Sequence, residues 1–291
     1  MRRGSLSANY PFMSEPDIRG SCPPAFDMVR KAFEDNFSRG EELGARFSLV
    51  IDGELVVDLM GGYADRARTQ PFSPETVTPI FSTMKAVAAL LVARLVDQGR
   101  LAYDQPVAEV WPEFAQAGKG AITVEQVLSH QAGLSGIAEP MESSDWFDWD
   151  AICARLAAMA PLFAPGGASG YHPVTFGFLA GEIFRRVDGR TLGRALREDI
   201  AEPFGLDFHI GLSEADYARA AEIQRPSSLP KFGAPTPALK AAFLSKWSTP
   251  GARAQGDLRN TEVLSSNGYT RADSLALLMG ALARDGQLGA G

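Results

Sequence analysis

Ser82-Thr83-Met84-Lys85 puts a hydroxyl and an amine three residues apart. Residues three apart on a helix share a face, so Lys85 returns beneath Ser82 within reach of its hydroxyl. Such a pair supports nucleophilic chemistry: a neutral amine takes the serine proton and the oxygen attacks a carbonyl. The amine must then be neutral part of the time. Moving a lysine from a pKa of ~10.4 to ~7 costs about 4–5 kcal/mol, which burial and a neighbouring cation supply. The spacing alone is weak, because typical residue frequencies give roughly one chance match in a chain this long. Ser228-Leu229-Pro230-Lys231 is such a match, and its internal proline and irregular surroundings make it a poor candidate.

The residues after Ser82 separate the two. From Ala86 to Val96 there is one charge, Arg94. A helix apolar nearly all round is buried on most sides. Burial desolvates Lys85, and the start of the helix places the Ser82 N–H at the positive end of the helix dipole. The competing reading, a serine N-cap followed by a solvated lysine, is weakened because a solvated face is hard to find on this helix.

The elements that must position the pair follow from periodicity and caps. A helix is expected from about Pro24 to Arg39, with Phe26, Val29, Phe33 and Phe37 on one face and Gly40 ending it. Phe47–Ile51 and Leu55–Leu59 flank Asp52-Gly53, a hairpin signal. Residues 64–80 read as loop, and Gly99 stops the helix that begins near Ser82. Thr123 opens a capping box with Gln126. Asp148 leads into a helix with Ile152, Leu156 and Met159 inward, Phe176 to Val187 forms another, and Thr191 starts one that ends before Pro203. Residues 225–268 hold five prolines and no clear period, as in a lid or binding loop. Thr270 is expected to cap a last helix through Leu275, Leu278 and Leu282.

Several blocks in this order resemble the class C β-lactamases and family VIII carboxylesterases. They are Phe81–Lys85, Leu95–Leu101, Asp104–Val107, Trp111–Phe114, Ile122–Leu134, Gly170–Glu182 and Ile200–Leu206. The resemblance covers about residues 24–287. It implies an α/β fold of α+β type: a β-lactamase/transpeptidase-like antiparallel sheet flanked by helices, with a mostly helical region. Within one domain over 14–291, it implies helix and sheet hairpin over 14–81, catalytic helical region over 82–224, irregular loop over 225–268, and a helix returning to the sheet over 269–291.

For the site, the resemblance implies Ser82 as nucleophile, Lys85 as its base, and Tyr171 as the phenol sharing the proton and passing it to the leaving group. The backbone N–H of Ser82 is one expected oxyanion donor. The family's second motif in β-lactamases is Tyr-x-Asn. Here it is Tyr171-His172-Pro173, without the amide that positions an amide substrate, which favours esters. His172 and His130 are supporting candidates, each with a structural alternative. The family's third motif, Lys-Thr-Gly or a His/Trp-x-Gly variant on a late strand, has no counterpart after Gly286, so the chain reads as truncated with its closing strands missing.

The expected activity is hydrolysis of short-chain carboxylic esters through a Ser82 acyl-enzyme, without metal or organic cofactor. Two alternatives stand beside it: a β-lactamase or D-alanyl peptidase, and an inactive truncated remnant. A Ser-His-Asp hydrolase is disfavoured, because no Gly-x-Ser-x-Gly elbow sits between a strand and a helix. The expected partner is a small-molecule ester or amide; oligomeric state is unassigned.

Charge and composition exclude other classes. A net charge of -7 gives no footprint for nucleic acid. His130, His172 and His209 lack metal-site spacing, and Cys22 and Cys153 read as buried thiols. No run approaches the ~20 apolar residues of a membrane span, and Met1-Arg2-Arg3 is followed by no apolar export segment. These point to a cytoplasmic protein whose start is Met1 or Met13, with residues 1–13 a disordered leader.

Overall fold

The computed structural model of the chain describes residues 17–224, 234–250 and 261–285. The expected leader and the Ser228–Lys231 match lie outside them. The described residues fall into two compact units, 17–76 with 221–224 and 275–285, and 77–220 with 234–250 and 261–274.

In the first unit, β1 (Arg19–Ser21), α1 (Asp27–Ser38), β2 (Gly44–Ile51) and β3 (Glu54–Gly62) follow in order. The hairpin forms at Asp52-Gly53, both with positive φ, as a primed turn requires. The sheet is antiparallel in the order β1-β3-β2. Sequence reasoning found the hairpin and missed β1, a three-residue strand pairing Arg19–Ser21 with Asp58–Met60. Alternation along β3 sends Val57 and Leu59 to the face that Phe33 and Phe37 of α1 cover. On the other face Arg46 clamps the Asp58 carboxylate at 2.8 and 2.7 Å. The Cys22 thiol is half-buried rather than buried.

The second unit is mostly helical. After β4 (Thr78–Pro79) come α2 (Met84–Asp97), α3 (Val124–Leu128), α4 (Trp149–Ala158), α5 (Thr175–Asp188) and α6 (Leu192–Leu196). β5 (Phe208–Ile210), α7 (Pro237–Leu239) and β6 (Gly268–Thr270) follow, then α8 (Ala272–Asp285), whose later residues belong to the first unit. The Thr123–Gln126 capping box is present. Met159 lies just past the end of α4, capping it rather than packing inward from it.

α5 is buried from Thr175 to Phe184 and packs against α2. Leu264 and Ser265 close on Gly177, and Trp149 on Gly181, so closely that a side chain at either glycine would collide. Arg190 joins Asp188, Glu198 and Asp199, and Arg94 reaches Asp199 at 3.2 Å, which ties the far end of α2 to the π turn 197–201 that follows α6.

Two expectations are corrected here. Thr270 ends a strand, and its hydroxyl donates to the Asp207 carbonyl at 2.8 Å instead of capping a helix. Residues 237–244, expected to be irregular, form α7 and a following π turn. The small sheet β4-β6-β5 was also not foreseen. No helix among the described residues is long and apolar enough to cross a membrane.

Candidate active site

A short 3₁₀ turn, Phe81–Thr83, carries Ser82 into α2. β6 pins this turn from outside. The Ile80 N–H donates to the Gly268 carbonyl at 2.9 Å. A Cβ on Gly268 would fall 2.5 Å from the Met84 sulfur, so the strand approaches as close as backbone allows. Phe81 has φ +44°, in the left-handed region that non-glycine residues avoid. Such strain, of order 1–3 kcal/mol, persists where the surroundings over-determine it, typically beside functional groups. Ser82 itself is exposed.

Lys85 sits one turn further and is only 8% exposed. Its Nζ donates to Ser82 Oγ at 3.1 Å and to the Pro173 carbonyl at 2.8 Å. Nζ also lies 5.0 Å from the Tyr171 ring centre and 5.8 Å from that of Phe176. It has no carboxylate partner among the described residues. Aromatic faces favour the ammonium form and burial opposes it. Burial wins, pushing the lysine down to about 8.

Buried Lys119 shows the opposite solution. Its three N–H donors go to the carbonyls of Gln116, Ala157 and Met159, at 2.8, 2.9 and 2.5 Å. That ammonium is saturated and bound to the end of α4, whereas Lys85 spends one of its donors on an exposed hydroxyl.

The loops 130–134 and 170–175 are laced together beside this pair. His130 has φ +64°, which lets its carbonyl accept the Gly170 N–H at 2.9 Å while its Nδ1 accepts the His172 N–H at 3.2 Å. His172 is fully buried; its Nε2 accepts the Leu134 N–H at 3.0 Å, and its Nδ1 pairs with the Gly170 carbonyl. An acceptor at Nε2 places the His172 proton on Nδ1. The Thr175 hydroxyl donates to the Leu134 carbonyl at 2.6 Å. Burial, with the Lys85 charge adding to it, pushes His130 down to about 4. Burial pushes His172 to about 4 as well, against its bond to Gly170. Both rings are therefore neutral near pH 7.

Tyr171 lies between the two laced residues and points outward, 43% exposed. Its ring packs 4.9 Å from that of His130, and its hydroxyl makes no hydrogen bond among the described residues. The structure thus gathers Ser82, Lys85, Tyr171, His172 and His130 in one place. Lys85 is the group poised to titrate near neutrality, and both ring nitrogens of His172 are engaged in holding the loops. Sequence reasoning missed the Pro173 carbonyl as the second Lys85 acceptor. A backbone carbonyl leaves no mark in residue type.

His172→Ala should lower stability by about 3 kcal/mol, because it opens a cavity and strands the buried Leu134 N–H. Urea unfolding followed by tryptophan fluorescence measures this. A change below about 1 kcal/mol would refute the lacing role.

The family model described as Beta-lactamase matches residues 29–290. The chain is 36% identical over 284 residues to the esterase/beta-lactamase LipL of Mycobacterium tuberculosis, a match covering 93% of this chain and 66% of that protein. It therefore spans about two thirds of that curated relative's length. Among solved structures, a penicillin-binding protein homologue from Caulobacter crescentus superimposes with TM-score 0.91 at 63% identity, covering 94% of this chain and 73% of that one. A family VIII carboxylesterase superimposes with TM-score 0.86 at 43% identity, with the same shares covered.

Proposed function

The chain belongs to the beta-lactamase family, and from that premise we propose that it is a serine hydrolase cleaving short-chain carboxylic esters through a Ser82 acyl-enzyme. The observation carrying this reading is the 3.1 Å contact between Ser82 Oγ and a buried Lys85 that meets no carboxylate among the described residues. A lysine held near pKa 8 is neutral in about one molecule in ten at pH 7.

Neutral Lys85 takes the Ser82 proton as Oγ bonds to the ester carbonyl carbon. The carbonyl oxygen becomes an oxyanion facing the Ser82 backbone N–H. Collapse breaks the carbon–alkoxide bond, and the alkoxide takes a proton from Lys85 by way of Tyr171. Water, deprotonated by the same pair, then releases the acid and restores Ser82. Pro173 in place of an amide side chain supports ester over amide substrates, as does similarity to a family VIII carboxylesterase. The 63% identity to a penicillin-binding protein homologue favours a second reading, stable acylation by β-lactams.

Incubation with a fluorophosphonate, followed by intact mass and peptide mapping, should give one adduct, on Ser82. A folded chain with no adduct, or with the adduct elsewhere, would overturn the proposal. A parallel incubation with a fluorescent penicillin tests the second reading: a long-lived Ser82 adduct supports it, and rapid ester turnover without one excludes it.

A further inference from the structure

A cavity of about 200 Å³ lies where the start of α4, the middle of α5 and the start of α6 meet, and none of the active-site residues lines it. Trp149, Gly181 and Leu192 give it apolar walls, and Asp150, Arg185, Thr191 and Glu262 add polar groups. Two glycines let those walls stand where they do. A Cβ at Gly181 would fall 2.5 Å from the Trp149 ring, and one at Gly193 would fall 2.5 Å from a Glu262 carboxylate oxygen. Neither glycine has positive φ, so each serves close approach rather than backbone freedom.

The charges around the cavity are answered except for one. Arg185 donates to Glu182 at 2.7 and 3.0 Å and to Asp150 at 3.1 Å, so two carboxylates offset it. Glu262 has no such partner. It accepts from the Thr191 hydroxyl at 2.8 Å and the Gly193 N–H at 3.3 Å, both neutral donors, and forms no ion pair among the described residues. Arg197 acts on it through space and pairs instead with Glu198 and Glu202. Burial raises the Glu262 carboxyl above its ordinary range, against the two hydrogen bonds. A desolvated carboxylate without a cation is costly, and a cation brought beside it offsets that cost.

We infer that this cavity binds a small organic ammonium, with its charge on the Glu262 carboxylate and its apolar body against Trp149 and Leu192. Size sets the scale. An apolar cavity of about 150 Å³ admits benzene, so about 200 Å³ admits a ring with a short aminoalkyl arm. An indole wall favours both apolar contact and a nearby cation. Water suits the space less well, because the apolar walls give it few hydrogen-bond partners. A metal ion is disfavoured, since the described residues contain no group of three or more ligating side chains. An anion would meet an arginine already held by two carboxylates. The site takes nothing from Ser82 or Lys85 and does not depend on the ester-hydrolase reading.

The test is calorimetric titration of the whole chain with benzylammonium, benzyl alcohol and benzoate, three probes of one size and different charge. Benzylammonium should saturate one site with a Kd on the order of 1 mM. The neutral and anionic probes should bind at least about tenfold more weakly. Glu262→Gln can keep the Thr191 bond while removing the charge. It should lose about tenfold in affinity for benzylammonium and change little toward benzyl alcohol. The three probes are compared on the wild-type chain, so the comparison decides the matter even if the variant folds poorly. Equal binding of all three, tightest binding of benzoate, or no saturation at about ten times the expected Kd overturns the site. A folded Glu262→Gln chain that holds benzylammonium as tightly as wild type overturns it too.

Discussion

Ser82→Ala should lower turnover of 4-nitrophenyl acetate by on the order of 10⁴-fold or more, leaving only slow catalysis by the remaining site. The size follows from the absence of a substitute nucleophile among the described residues of the site. Lys85 is buried against Pro173, Tyr171 is positioned by its laced neighbours, and both histidines are neutral with Nδ1 of each committed to the lacing. The variant should fold normally, because Ser82 is exposed and its hydroxyl accepts a single hydrogen bond among the described residues, from Lys85. Circular dichroism and the fluorophosphonate adduct measured side by side separate chemistry from folding. A folded Ser82→Ala chain that keeps more than about one hundredth of wild-type turnover would show that the acyl-enzyme is not on the main path.

Lys85 carries the second large effect, and its sign is set by pH. Burial holds it near 8. If it is the base, kcat/KM should rise about tenfold per pH unit below that value and level off above it. Lys85→Arg cannot deprotonate and should cost on the order of 10³-fold. For stability the same lysine is a cost. The folded pKa lies below the unfolded one, so between about pH 8 and 10.5 the unfolded chain binds more protons and stability rises with pH. Below pH 8 the buried charge costs its full amount. Lys85→Met should therefore be more stable than wild type by about 2 kcal/mol at pH 7, net of the lysine's hydrogen bonds, with the gain fading toward pH 10.5. A flat pH–rate profile, or a methionine variant destabilised at pH 7, would refute Lys85 as a desolvated base. Denaturant unfolding at about pH 7 and about pH 10 reads the second point.

What could be read from sequence was what is decided locally. Ser82 and Lys85 meet because helix geometry fixes residues three apart. The Thr123–Gln126 box, the stop at Gly99 with φ +68° and the Asp52-Gly53 turn are likewise written in a few adjacent residues. Structure decided by distant partners was not legible. Thr78 and Phe208 both pair with Thr270, through strands of two or three residues too short for any periodic signal. The same pairing explains the misread cap, since the Thr270 hydroxyl is bound to Asp207. Phe243 lay in a proline-rich stretch read as irregular, and no local pattern marked it as a neighbour of the distant Tyr171. Within His130, residue type suggested support, but its left-handed backbone, which does half of the lacing, is a property of tertiary structure.

Gly136 gives the site an unusual route to change. The turn bearing Phe243 rests against bare backbone at that position, where even one methyl group would push it outward. Gly136 thus acts as a spacer for the turn, and small substitutions there would displace residues 241–244. Under selection for a different placement of that turn, adaptation would be expected to visit position 136 early. A library built only on residues that face the substrate would never sample it.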